Sequence, residues 1–296
     1  MDKTTPRITV LAAPAQHPEG PDFFENGDIV YVETWLGKVS CYRPGRGAVD
    51  FAITHGGPNA CAIGSDGCVY VTQIGSVWRS WRAERPAVPG IQRIHPNGKV
   101  ETIIDRVDGI VCAAPNDLCF GADGRLYFSD PGQWIGAPDH GPTYIFAVSP
   151  DGKGEVIAEM GEVFPNGVVA DRTAGIVWGE TQSRLIKRKR PDQPVEILGQ
   201  LPQGHMADGL KFDDRGRLWI TTVLGGGFDV LDPETGAMEF VPCPHYPLNC
   251  VFQGDALIVA DRGLWDDASG DVARDGRLIK VDVGVGGPPL FRGALT

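Results

Sequence analysis

Six residues stand out by type and spacing: Glu19, Asn59, Asn116, Asn166, Asp208 and Asn249. Each opens a short apolar run, and successive gaps between them are 40, 57, 50, 42 and 41 residues. All six end in oxygen-bearing groups. Brought together, two carboxylates and four carboxamides suit a hard divalent cation such as Ca²⁺, Mg²⁺ or Mn²⁺. The plainer account is local: Asn and Asp at strand starts often satisfy turn backbones through Asx-turns. Glu19 is a poor turn former, however, and six residues in register argue for a shared polar centre. No cysteine–histidine spacing of a structural zinc site is present, and there is no G-x-S-x-G, Walker loop or dinucleotide-binding fingerprint.

The elements that must carry these residues are short strands. Long helical periodicity is absent, and runs of about five apolar residues are bounded by Gly, Pro, Asn and Asp. The stretch His205–Ile220 shows the unit: a polar residue, an apolar strand, a turn at Arg215-Gly216 and a second apolar strand. Comparable units open at Pro58, Pro115, Pro165 and Leu248, and an Asn26-Gly27 hairpin signal marks the first. Repeats near 40 residues, each with three or four strands, predict an all-β, six-bladed β-propeller. It forms a single domain over residues 1–296. The lone strand Ile8–Ala12 has no partner in its own unit and is expected to complete the last blade, closing the ring and removing an open edge. The two long gaps localise insertions at about residues 76–90 and 132–142.

In a propeller the innermost strands line a central channel, so the six marker residues meet at one mouth. Asn59 and Asn116 are then candidates for substrate contact, with His140, His205 and Trp134 near the same rim. His205 lies three residues before Asp208. Trp134, Trp78 and Trp81 fall in the two insertions, where they either roof the mouth or pack conventionally. His17 and His245 also lie near strand ends.

Composition narrows the function. The net charge of -11 opposes binding to phosphate backbones, so nucleic acid is not an expected partner. The one basic run, Lys187–Arg190, reads as a solvated outer strand or turn. Seven cysteines, none in a C-x-x-C pair and several inside apolar runs, read as reduced, buried thiols of a cytoplasmic protein. The first residues lack an apolar signal region, and no run approaches the ~20 apolar residues of a membrane span. A small-molecule substrate is expected, with neither nucleic acid nor membrane as partner; a homo-oligomer stays open.

The motifs Glu19-Gly-Pro, Pro115-Asn116-Asp with Asp123-Gly-Arg-Leu-Tyr-Phe, Pro165-Asn166-Gly, and Asp208-Gly with Gly216-Arg-Leu-Trp occur in a fixed order along nearly the whole chain. In this the chain resembles the SMP-30/gluconolactonase/luciferin-regenerating-enzyme (regucalcin-like) family. The resemblance implies a six-bladed propeller with one divalent cation at the channel mouth, calcium first, with magnesium, manganese, zinc or iron as alternatives. It implies Glu19, Asn166 and Asp208 as metal ligands, Asp208 also as general base, and Asn116 near the substrate. The implied activity is lactone hydrolysis. The match departs where sugar lactonases of the family carry an arginine two residues before Asn116: here that residue is Ala114. A glutamate expected near the next strand is replaced by the neighbourhood of His140 and Thr143. Losing both charges implies a substrate less polar than a sugar-acid lactone. A strictosidine-synthase-like, metal-independent propeller enzyme and a non-catalytic ligand- or protein-binding propeller are the competing readings.

Overall fold

The apolar runs fold into strands that are buried on both faces. The computed structural model describes residues 5–78, 80–133, 141–173, 175–243, 246–263 and 275–296. Blade 1 comprises Pro18–Phe23, Ile29–Glu33, Lys38–Arg43 and Gly47–Ile53; blade 2 comprises Pro58–Ile63, Val69–Gln73, Gly90–Ile94 and Val100–Ile104. Blade 3 runs Leu118–Phe120, Leu126–Asp130, Thr143–Val148, Gly154–Met160, and blade 4 runs Pro165–Ala170, Ile176–Glu180, Leu185–Lys189, Glu196–Gln200. Blade 5 is Ala207–Phe212, Leu218–Thr222, Gly227–Leu231 and Met238–Pro242. Blade 6 takes Pro247–Gln253, Ala256–Asp261 and Gly276–Asp282 from the end of the chain. Its outermost strand is Arg7–Ala15, antiparallel to Gly276–Asp282 from Arg7↔Asp282 to Ala15↔Gly276. The ring is therefore six-bladed and closed by the N-terminal strand, as expected.

The core is divided among the blade interfaces. Val30, Val32 and Val39 of blade 1 pack on Cys61, Ile63, Val69 and Val71 of blade 2, and the remaining five interfaces each hold an equivalent cluster. A second strand such as Leu126–Asp130 faces a neighbour on each side and is buried at all five positions. That is why these runs read as wholly apolar rather than alternating.

Turns between first and second strands use one device. Asp66, Asp123 and Asp213 each accept the backbone N–H two residues on, from Cys68, Arg125 and Arg215. The same carboxylates accept a ring donor from the second strand: Tyr70 Oη, Tyr127 Oη and Trp219 Nε1. The aspartate thus stabilises its own turn and locks the register of the hairpin.

The structure corrects the sequence reading in one place and adds to it in others. The basic run Lys187–Arg190 is no solvated edge. Lys187–Lys189 lie on the third strand of blade 4, where Lys187 Nζ sits 2.7 Å from the buried Glu180 carboxylate and Arg188, 6% exposed, pairs with Glu196 and Asp171. The first insertion folds as a small hairpin, Val77–Trp78 with Trp81–Arg82, and a second small hairpin, Arg106–Val107 with Ile110–Val111, links blades 2 and 3. Beyond blade 6 the chain continues across the face opposite the marker residues. Arg292 there binds Asp22 and the carbonyls of Phe23 and Ile63, while Leu295 N donates to Tyr70 Oη. All seven cysteines are free. Among the described residues no helix is long and apolar enough to cross a membrane.

The closing strand carries a measurable load. Deleting residues 1–13 exposes the edge of Gly276–Asp282 and uncovers part of the blade 6–blade 1 core, where Leu11 and Ala12 pack. The truncated chain should melt more than about 5 °C lower, given about 2–4 °C per kcal/mol for domains of roughly this size, and should self-associate. Calorimetry and size-exclusion chromatography check both; an unchanged melting temperature would show that the ring does not need this strand.

Candidate active site at the channel mouth

In five of the six blades the first and second strands do not pair evenly. The ladder slips between Glu19 and Asp22, Pro58 and Ala60, Pro165 and Val168, Ala207 and Leu210, and Pro247 and Asn249. Each slip lies at or beside a marker residue. Such bulges re-aim side chains, and here they accompany five oxygen-bearing groups at the head of the channel. In blade 3 the regular ladder starts only at Leu118, and Asn116 N reaches Ser129 O just ahead of it. All six markers are buried, with Glu19 3% and Asp208 7% exposed.

Crowding at the axis explains the residue that follows three of them. A Cβ on Gly20 would collide with Ala60 of blade 2, one on Gly167 with the Asp208 carbonyl, and one on Gly209 with Asn249. Glycine after Glu19, Asn166 and Asp208 is what lets adjacent inner strands converge. Hydroxyls then staple four successive interfaces, from blade 2 through blade 6. Thr72 Oγ1 donates to Asn116 O, Ser129 Oγ to Asn166 O (2.6 Å), Thr181 Oγ1 to Ala207 O (2.7 Å) and Thr221 Oγ1 to Leu248 O (2.6 Å). Asn59 joins this set: its Nδ2 donates to Asn116 O at 3.2 Å.

A further layer supports the loops leading into the inner strands. The last residue of the second strand accepts backbone N–H groups from the segment before the marker: Glu33 from Gln16, Gln73 from Gly57, Asp130 from Ala113 and Ala114, Asp261 from Tyr246. Buried acceptors of this kind fix the position of the groups ahead of them, as outer-shell partners do around metal sites. The sequence reading missed them, although the recurrent acid or amide closing Val-Tyr-Val-Glu33, Val-Thr-Gln73 and Phe-Ser-Asp130 was a visible signal.

Electrostatics single out one pair. Burial pushes the Glu19 carboxyl well above the usual carboxylate range, and the charges of Asp208 and Asp117 push it further. Burial, then Asp117, raises Asp208 in the same direction, while Arg262 and the Asn166 amide oppose the rise. Two carboxylates are thus held together out of water, and the opposing contributions of Arg262, Asn166, Asn249 and Gly20 still leave both well above the usual carboxylate range. Beside them Asn166 donates its Nδ2 to Thr181 Oγ1 at 3.1 Å, and its buried Oδ1 has no hydrogen-bond partner. An orphaned amide oxygen next to two repelling carboxylates fits a hard divalent cation held by Glu19, Asn166 and Asp208. The candidate donors are all oxygen atoms, as hard cations prefer; among the described residues no group of three or more His, Cys, Asp or Glu converges.

The rim is aromatic. Trp35 stacks on His17 at 4.4 Å and lies 4.8 Å from Trp81 of the first insertion. Trp78 of the same insertion meets Phe164, two residues before Asn166, edge-on at 5.9 Å. The blade 2 insertion therefore reaches the approach to blade 4, spanning part of the mouth. His17 Nδ1 is buried with no partner, and burial together with the Arg262 charge keeps its imidazole well below its ordinary pKa. Trp35, Phe164 and Arg262 had no role in the sequence reading, because only the ring brings them to the markers. His205 is held over the third strand of blade 5, its Nδ1 2.7 Å from Asp229 Oδ2. Trp134, His140 and His245 lie outside the described residues. Ala114 is buried and gives its N–H to Asp130, and Thr143 Oγ1 donates to Gly161 O.

Removing one member of the repelling pair separates charge from fold. In chelator at pH 7, Asp208→Asn and Glu19→Gln should each raise the melting temperature by relieving buried repulsion. Added calcium should stabilise the parent chain, by about 2.7 kcal/mol at one hundred times its Kd, and either variant by far less. Calcium titrations followed by thermal unfolding read both effects, and a parent chain indifferent to calcium would remove the ligand assignment.

Comparison with known proteins agrees with this fold. Residues 17–259 match the SMP-30/Gluconolactonase/LRE-like region. A gluconolactonase of Zymomonas mobilis is 26% identical over 305 residues, covering 88% of this chain and 80% of its own. Two solved structures share the fold: a gluconolactonase from Xanthomonas campestris (TM-score 0.75, 19% identity, 93% of this chain and 89% of that one) and a calcium-binding regucalcin from Agrobacterium tumefaciens (0.75, 17%, 99% and 98%). With 17–259 matched and six blades arranged about one polar mouth, the chain belongs to the SMP-30/gluconolactonase/LRE-like family.

Proposed function

We propose that this protein is a divalent-metal-dependent lactonase that opens a cyclic ester less polar than a sugar-acid lactone. The observation that carries it is the buried Glu19–Asp208 pair beside the unpartnered Asn166 oxygen. The similarity to the Zymomonas gluconolactonase supports the reaction class.

Glu19, Asn166 and Asp208 would hold the cation, whose chemistry is that of a Lewis acid: it stabilises charge developing on the carbonyl oxygen and acidifies water. The chain supplies the proton path and the pocket. Asp208 takes the proton from the attacking water as its oxygen bonds to the carbonyl carbon. The ester C–O bond then breaks, and the departing ring oxygen receives the proton, so that one water is consumed and a hydroxy acid is formed. The Arg262 charge favours the ionised form of Asp208 that this role needs. Asn116 and Asn59 sit on the same ring as candidates to contact the substrate, with His205 farther out on the blade 5 rim.

The walls support the less polar substrate. Trp35, Trp78, Trp81 and Phe164 offer aromatic surface around the mouth, and Ala114 leaves no cation before Asn116. A pocket of this kind gains from burying alkyl or aryl groups and has little to pair with several hydroxyls. Seven free, mostly buried cysteines accord with the cytoplasm as its place of action.

A lactone panel with and without chelator tests the reading. Alkyl or aryl lactones should turn over faster than gluconolactone, chelator should abolish the activity, and Asp208→Asn should lower kcat/KM at least about 100-fold, the low end for a lost general base. Faster turnover of gluconolactone would refute the substrate class. Turnover that ignores chelator, or none at all, would favour the metal-independent or the non-catalytic propeller.

A further inference from the structure

The channel has a second chamber at the end away from Glu19 and Asp208. Beyond Gly20 and Asn249 lies a cavity of about 330 Å³, closed on its outer side by residues 287–292. The volume is within the about 300–1,000 Å³ of small-ligand pockets. Its walls are largely apolar, with Val251, Phe252, Leu290 and Phe291 prominent. The closing segment is firmly held. Gly293 O accepts Ser65 N at 2.8 Å, Arg93 Nη1 donates to Leu295 O at 2.7 Å, and Thr296 N donates to Pro150 O at 2.8 Å.

Charged groups enter this chamber, and all but one are engaged. Asp22 is taken by Arg292 and by the N–H groups of Phe23 and Ile63. The Asp117 oxygens accept Leu118 N at 2.9 Å and Val168 N at 3.1 Å. Arg172, at the rim, lies 3.7 Å from Asp214. The remaining group is Lys211. Its Nζ donates to Leu210 O at 3.2 Å, and an ammonium has three donors. Burial disfavours its charge, but nearby Asp117, with Asp22, outweighs this and keeps it protonated. An ammonium with spare donors in an apolar-walled chamber matches a ligand with one anionic oxygen head and a hydrocarbon body.

We propose that this chamber is a second ligand site, distinct from the mouth, for a small amphipathic carboxylate whose head meets Lys211 Nζ and whose body lies against Val251, Phe252 and Phe291. The site does not depend on the chemistry assigned to the mouth.

Octanoate, with 1-octanol as the neutral control, probes it by isothermal titration of the full chain. Octanoate should bind once per chain, and octanol at least about tenfold more weakly, the loss expected for a charge-assisted hydrogen bond. Lys211→Met should cost octanoate a similar factor. Ala170→Leu, which fills part of the chamber from its wall, should weaken both ligands. Asp208→Asn should leave octanoate binding unchanged, and thermal melts verify that each variant is folded. Binding lost in Asp208→Asn but kept in Lys211→Met and Ala170→Leu would place the ligand at the mouth and overturn the proposal. No saturation at millimolar octanoate, or equal affinity for acid and alcohol, would overturn it as well.

Discussion

Six backbones can converge on one axis only if something is left out. At Gly20, Gly167 and Gly209 it is the side chain, because a Cβ would strike the neighbouring inner strand. The rest of the mouth follows from that close approach. With the strands so near, hydroxyls such as Ser129 Oγ and Thr221 Oγ1 can reach the carbonyls of the next blade, and short polar contacts of this kind run from blade 2 to blade 6. The bulges beside the markers follow too, since the second strands cannot track the inner ones where these bend together.

The same convergence sets the electrostatics. Glu19 and Asp208 come from blades 1 and 5 and are forced into one buried volume, where repulsion and lost hydration both disfavour their charged forms. A protein selected for stability alone would replace one of them. Together with the unpartnered amide oxygen of Asn166 they support the cation site proposed above, and functional sites commonly carry such a cost in the folded state. The polar supports behind them, Glu33, Gln73, Asp130 and Asp261, carry no such tension. Each has backbone N–H partners and serves to keep the loops still.

The blade count, the ring closure and the family were legible in the chain because each depends on a local pattern that recurs. Asp66, Asp123 and Asp213 announce hairpins by their own turn chemistry, and the polar heads of the inner strands repeat at blade spacing. The residues that stayed hidden depend on contacts between units. Trp35 and Phe164 belong to different blades and gain meaning only when the Trp78–Trp81 hairpin bridges them. Lys187 and Arg188 look like a solvated cationic run until Glu180 inside and Glu196 outside are seen to neutralise them. The chamber around Lys211 needs the last ten residues to be folded across the channel, which no periodicity marks.

The pairing of Arg7 with Asp282 joins positions 275 residues apart. On a ribosome adding about 5–20 residues per second, the first strand waits on the order of 14–55 s for its partner to be made. Through that interval blade 1 has no blade 6 beside it, and the nascent ring is an arc with two sticky ends. The short apolar strands that build this core so well are, in that window, open edges in a crowded cell. The mixed polar and apolar outer face of Arg7–Ala15, with much of it exposed even in the finished blade, suits a segment that must stay unpaired for so long without finding another chain.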